Sequence, residues 1–327
     1  MPERAITYAV VDAFTDEPFK GNTAAVCLLE ESWEEQLDEQ WMQSVAAEFN
    51  TSITAFLVRA DADAANPQFH IRWFTPVRES ELCGHGTLAA AHYLISSGLV
   101  KCNAIDFLAK SGFLTAKKVV GLKQSSTLIS PLQEACTKFL IELDFPLIPV
   151  VKCSPLEMPS IPETLNGASV SNVLKTVSDS ATDLIVISLT YILSVEMQPV
   201  TLKFSCVSFI VELNSSEEVV NVRPNISELV QSAGRGVAVT GPAPVGSSYD
   251  FFSRFFCPKY GLNEDPVCGS VHCALAPYWG KKLGKQCMTA SMASPRSGTL
   301  YLQWDEAAQR VQIRGEAVTV MVGNILV

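Results

Sequence analysis

The stretches "RWFTPVRESELCGHG" at residues 72–86 and "RFFCPKYGLNEDPVCGS" at residues 254–270 are two versions of one pattern. Arg72-Trp73-Phe74-Thr75-Pro76 ends seven residues before Cys83, and Arg254-Phe255-Phe256-Cys257-Pro258 ends ten residues before Cys268. Beyond the Cys-Gly pair the match stays in register, with Ala89, Ala91 and Tyr93 corresponding to Ala274, Ala276 and Tyr278. Self-similarity of this kind marks a repeated structural unit. Each unit reads as a strand ending in Arg-aromatic-Phe-x-Pro, a loop, and a Cys-Gly turn that opens a small-residue helix.

Working outward, Ile6–Phe14 is an apolar run rich in β-formers, and "TDEPFKGNTAAVCLL" turns into a second strand. Leu37, Trp41, Val45 and Phe49 recur every four residues and predict a helix over Trp33–Phe49. Strands follow at Thr54–Arg59 and His70–Phe74. The Ala-rich Thr87–Ser96 reads as a buried helix ended at Gly98, and further strands are expected at Ala104–Leu108 and Leu114–Val120. Ser, Thr, Lys and Gln break the pattern over Gly121–Cys136, which predicts a linker between an N-terminal lobe, 1–121, and a C-terminal lobe, 122–327. Ile187–Phe209 has strand-like composition without clean alternation and reads as an insertion.

An apolar content of 48% over 327 residues supports a large buried core. Asp and Glu (34) outnumber Lys and Arg (24), giving a formal charge of -10 that excludes a phosphate-backbone binder. Charges in "MPERAITYAVVDAF" interrupt any secretory apolar core, and Glu196, Pro199 and Lys203 break the apolar region Leu184–Leu213 below membrane-span length. Ten cysteines without a CxxC pair or clustered histidines signal neither a zinc site nor a disulfide framework, so a cytoplasmic protein is expected. A homodimer is the default oligomer.

A helix opening at a Gly turn presents free N–H groups and the positive end of its dipole. Gly84-His85-Gly86 and Gly269-Ser270, facing each other across a cleft, would hold a small carboxylate-bearing substrate between them. His85 beside that anion site is a candidate acid or base. Asp265 and Glu264 either position substrate or complement the helix dipole, whereas His92 and His272 read as packing residues. Cys83 and Cys268 immediately precede the two helices, where a dipole would lower a thiol's pKa and permit two-thiol proton transfer.

At these residues the chain resembles the PhzF-like (phenazine biosynthesis-like) family, especially its plant members. The resemblance runs from "VDAFTDEPFKGNTAAVCLLE" through "RWFTPVRESELCGHGTLAAAH" to "YDFFSRFFCPKYGLNEDPVCGSVHCALAPYW" and the C-terminal "RSGTLYLQWDEAAQRVQIRGEAVTVMVGNILV", and is weak over residues 122–230. It implies an α+β fold of two pseudo-symmetric diaminopimelate-epimerase-like lobes, each a mostly antiparallel sheet wrapped around a central helix. The C-terminal strand is free to return to the first lobe. It also implies a cofactor-independent, metal-free isomerase that shifts a proton on a small amino or unsaturated carboxylic acid. By motif, binding and polarising roles fall on Gly84, His85, Asp265, Gly269 and Ser270, with Asn22 at the entrance.

The family's general base is a Glu in Asn-Leu-Ser-Glu-Thr-x-Phe. This chain matches at Asn50, Ser52, Thr54 and Phe56 but carries Ile53 at the Glu position. Gly86 stands where Ala is usual, Thr23 where Pro is usual, and Cys268 where many members have Thr. Three readings follow: an isomerase in which His85 or Asp265 replaces the Glu, a two-thiol racemase or epimerase using Cys83 and Cys268, or a silent member that binds an acid or a partner protein.

Overall fold

β1 (Ala5–Ala13) and β2 (Asn22–Leu29) pair antiparallel across the loop 14–21. In the computed structural model the described residues are 5–30, 38–60, 66–120, 139–153, 165, 169–176, 185–186, 201–202, 208–231 and 234–326. The expected linker, the 121/122 boundary and most of Ile187–Phe209 lie outside them. The first helix, α1 (Glu39–Phe49), is capped by Asp38, whose carboxylate accepts from the Trp41 N–H at 2.8 Å; the expected start at Trp33 also lies outside. Asn50 closes the helix in the left-handed region, at φ 49°.

The α1 crossover makes β3 (Ile53–Arg59) parallel to β2. Then come β4 (Gln68–Phe74), a short β5 (Glu79–Ser80), α2 (Gly84–Ser96), β6 (Ala104–Ala109) and β7 (Gly112–Val120). After them come β8 (Phe139–Pro146), β9 (Val150–Lys152) and β10 (Val170–Thr176), and the separate two-stranded pair β11 (Ile185–Val186) and β12 (Thr201–Leu202). A further parallel pair follows: β13 (Phe209–Leu213), the short helices α3 (Ser216–Asn221) and α4 (Ile226–Gln231), and β14 (Val237–Pro242). The chain ends with β15 (Phe251–Cys257), β16 (Leu262–Asp265), α5 (His272–Leu283), β17 (Cys287–Met292), β18 (Gly298–Asp305), β19 (Arg310–Gly315) and β20 (Ala317–Leu326).

Eighteen strands join in one sheet. It runs from β20 through β1, β2, β3, β4, β6, β7 and β8 to β19, then through β18, β17, β15, β14, β13 and β10 to β9. The C-terminal strand thus lies against the N-terminal one. Most pairings are antiparallel, and the two lobes are built alike. In each, a helix links two parallel strands, α2 joining β4 to β6 and α5 joining β15 to β17.

Small residues let both helices sit at the centre of their sheets. From His85 to Leu94 every residue of α2 is buried. Pro277 within α5 removes the N–H that would bond the Cys273 carbonyl, and the Ile148 N–H fills that role at 3.0 Å. The paired motif arginines are held alike. Arg72 grips Glu79 at 2.7 and 2.8 Å and lies over Phe74; Arg254 grips Glu264 at 2.7 and 2.9 Å and lies over Phe256. Glu264 is therefore an ion-pair partner that locks β16 to β15, and not half of an acidic pair complementing the helix dipole. No helix among the described residues is long and apolar enough to cross a membrane.

His92 and His272 pack inside the two helices. His272 Nδ1–H donates to the Cys268 carbonyl at 2.8 Å, and burial lowers its pKa from 6.5 to about 4. The unfolded chain takes up a proton that the folded protein refuses, so this stability is full above pH 6.5 and drains as pH falls toward 4. Urea midpoints across that range should fall for the native protein. His272→Gln should flatten the decline by an amount on the order of 3 kcal/mol.

Candidate functional site

Cys83 is the N-cap of α2, its Sγ accepting from the Gly86 N–H at 3.3 Å. The second turn differs: after Cys268 the backbone passes through i to i+3 bonds, His272 N to Gly269 O and Cys273 N to Ser270 O, before α5 begins at His272. Cys268 therefore stands four residues ahead of its helix, not immediately before it. Each turn glycine meets a phenylalanine from the other half. A Cβ on Gly84 would lie 3.6 Å from the Phe145 ring, and one on Gly269 would lie 3.5 Å from the Phe14 ring.

Ser52 Oγ lies 2.7 Å from both Asn22 Oδ1 and the Thr23 carbonyl, which only accept, so its proton goes to one of them. His85 Nε2, 3.0 Å away, must then donate to Ser52 Oγ. This fixes the neutral ring as the Nε2–H tautomer and turns the Nδ1 lone pair toward Cys83 Sγ at 3.4 Å. Burial lowers the His85 pKa, opposed by the Asp265 charge. The ring is neutral at pH 7 and able to accept a proton.

Asn22 joins the two lobes. Its Nδ2 donates to Asp265 at 2.7 Å and to the Val267 carbonyl at 3.0 Å. Expected at the entrance, it is instead fully buried, because all its hydrogen-bonding capacity is used inside the interface. The same loop is clamped by Arg296, which binds the buried Asp12 carboxylate at 2.8 Å and the Gly21 and Lys20 carbonyls at 2.9 Å.

The expected lowering of the two thiol pKa values is not what the surroundings produce. Burial pushes the Cys83 thiol well above its ordinary range and the Cys268 thiol up to about 12, outweighing the N–H donors at each turn. Each also feels the Asp265 charge, and Cys83 feels Cys268, so the two turns share one electrostatic environment.

Ile53 opens β3 with only 2% of its surface exposed. A Cβ on Gly86 would approach its Cγ2 to 3.1 Å and the Trp73 ring to 2.9 Å. The aliphatic side chain thus fills room that an alanine at 86 would need. Glu48 is exposed on α1 and takes no part.

Two residues of the site carried no sequence signal of their own. Ser52 stood only as a matched motif position. Arg235 lies outside every motif, yet its charge reaches Cys83, Cys257 and Cys268. Among the described residues no cluster of three His, Cys, Asp or Glu side chains could hold a metal ion. A separate open pocket of about 520 Å³, lined by Ile6, Leu29, Phe69 and Leu94 together with Glu30 and Arg59, includes none of the turn residues.

The model of the phenazine biosynthesis-like protein family matches residues 11–323. An uncharacterized isomerase from Halalkalibacterium halodurans is 36% identical over 319 residues, covering 97% of both chains. The crystal structure of a PhzF family phenazine biosynthesis protein from Enterococcus faecalis aligns with a TM-score of 0.75 and 32% identity, over 99% of this chain and 100% of that one. A predicted epimerase from Pseudomonas aeruginosa, 17% identical, shares the fold with a TM-score of 0.65 over 98% and 99% of the two chains. With its diaminopimelate-epimerase-like lobes and a family match spanning nearly its whole length, this chain belongs to the phenazine biosynthesis-like, or PhzF-like, family.

Proposed function

We propose that the protein is a cofactor-independent isomerase that moves a proton on a small amino or unsaturated carboxylic acid bound between the Cys83 and Cys268 turns. His85 takes the role of the missing glutamate. The observation that carries this reading is the fixed tautomer: Nε2 is engaged with Ser52, so the Nδ1 lone pair is the ring's basic site, which a substrate reaches in place of its 3.4 Å contact with Cys83 Sγ. A substrate C–H bond breaks as N–H forms at Nδ1, and the electron pair moves into the adjacent unsaturated system. Re-formation of a C–H bond at the other end of that system returns the proton, with no net oxidation. Asp265, held by Asn22, stabilises the transient imidazolium. The backbone N–H groups of Gly84, Gly269 and Ser270 suit the substrate's negative charge, while that of Gly86 is engaged by Cys83 Sγ.

The two-thiol reading is weaker, because buried thiols with raised pKa values are poor bases at neutral pH. A silent, acid-binding protein is the reading to which failure of proton exchange would lead.

A D2O screen of small amino and unsaturated acids by NMR should find solvent deuterium entering a bound acid, and His85→Asn should slow that exchange about a hundredfold or more. Because the imidazole resists protonation, exchange should persist as pH drops below 6.5, with its acid limb displaced downward from that of free histidine. Ile53→Glu should raise exchange; no gain in a variant that still folds and binds counts against the reading. Iodoacetamide at about pH 8, followed by peptide mass spectrometry, should label exposed Cys102 and Cys287 while sparing Cys83 and Cys268. Fast labelling of either turn thiol would revive the two-thiol mechanism.

A further inference from the structure

We infer that Arg235 is the anion anchor of the second turn and selects substrates bearing a carboxylate there. The inference rests on the proposed function and deepens it, since it states how the acid is recognised.

Strand register shows why Arg235 occupies this place. Thr54 pairs with Phe74 on β4, and Val237 pairs with Phe256 on β15. Phe74 and Phe256 hold the same motif position, so counting back along β3 and β14 sets Ile53 against Gly236 and Ser52 against Arg235. Counting forward from each Cys-Gly pair likewise sets His85 against Ser270. The contacts follow the same correspondence: Ser52 Oγ meets His85 Nε2 at 3.0 Å, and an Arg235 terminal nitrogen meets Ser270 Oγ at 3.4 Å. One backbone relation thus carries a hydroxyl and imidazole in the first lobe, and a guanidinium and hydroxyl in the second.

The guanidinium is poorly satisfied. Its Nε is sealed from solvent and has no hydrogen-bond partner, and the Ser270 contact is long. No carboxylate among the described residues lies within ion-pair distance, although Asp265 is near enough to influence it. By contrast, both motif arginines have bidentate glutamates. The rings of Phe255 and Tyr260 lie 5.5 and 5.4 Å from the guanidinium carbon and fix its plane. A half-buried guanidinium whose Nε is unpaired and which no carboxylate engages at ion-pair distance is open to an anion that a ligand supplies. The fork geometry of arginine suits a planar carboxylate, and the turn glycine and Ser270 add donors beside it.

The test compares benzoate with its neutral isostere benzamide by calorimetry, on the full-length protein and the variants Arg235→Gln and Arg235→Lys. Wild-type protein should favour benzoate, and R235Q should weaken benzoate binding about tenfold or more while changing benzamide binding less than about twofold. R235K should fall between them. Without acid, R235Q should melt at about the same temperature, since the guanidinium makes no ion pair and only one long hydrogen bond.

The anchor is overturned if R235Q keeps the preference for benzoate, or if wild-type protein shows no such preference or binds neither probe. It is also overturned if R235Q melts several degrees lower and loses both ligands equally, the mark of a structural arginine. Binding is read without catalysis. Preference that depends on Arg235, with no deuterium exchange, would sink the isomerase reading alone.

Discussion

The carboxamide of Asn22 is the constraint on which the rest of the site depends. It has one acceptor and two donor hydrogens, and all are used: the oxygen receives Ser52, and the nitrogen binds Asp265 and the Val267 carbonyl. Ser52 in turn sets the His85 tautomer. One fully buried side chain therefore orients an imidazole in the first lobe and a carboxylate in the second. Leaving any of these groups unpaired in such a position would cost about 1–3 kcal/mol.

Around that link the two lobes apply the same backbone to different chemistry. The Arg–Glu clamps at 72/79 and 254/264 use the same two nitrogens, Nε and one terminal nitrogen, on a glutamate that precedes a Cys-Gly turn by four residues. Counting from the Cys-Gly pairs, Ser80 corresponds to Asp265 and His85 to Ser270. The imidazole and the carboxylate are thus divided between the lobes, whereas the cysteines and the Arg–Glu clamps are duplicated. The reciprocal contacts of Phe14 with Gly269 and Phe145 with Gly84 bring the halves together without introducing further charge.

The Ile53 position shows how an aliphatic side chain is accommodated at the head of β3. A glutamate there would face a buried setting beside Trp73, whereas isoleucine packs into it and takes up space left by Gly86. The two departures from the family pattern are thus in contact. Ile53, Gly86 and Trp73 therefore form one packing unit.

Local rules made much of this legible from the chain alone. The repeated Arg-aromatic-Phe and Cys-Gly segments marked the two strand-to-helix turns, the four-residue spacing marked α1, and the alanines marked helices that must lie against sheet on every side. The family pattern exposed Ile53. Those features are encoded by neighbours in sequence, where steric and hydrogen-bond preferences act over a few residues. Thiol acidity, the placing of Asn22 and the role of Arg235 were not legible. Each depends on burial or on partners distant in sequence, as with Asn22 and Asp265, 243 positions apart. Sequence thus determined the two turns and the residue types offered there. Only the tertiary structure decided which groups were desolvated and paired, because both depend on what the second lobe brings against the first.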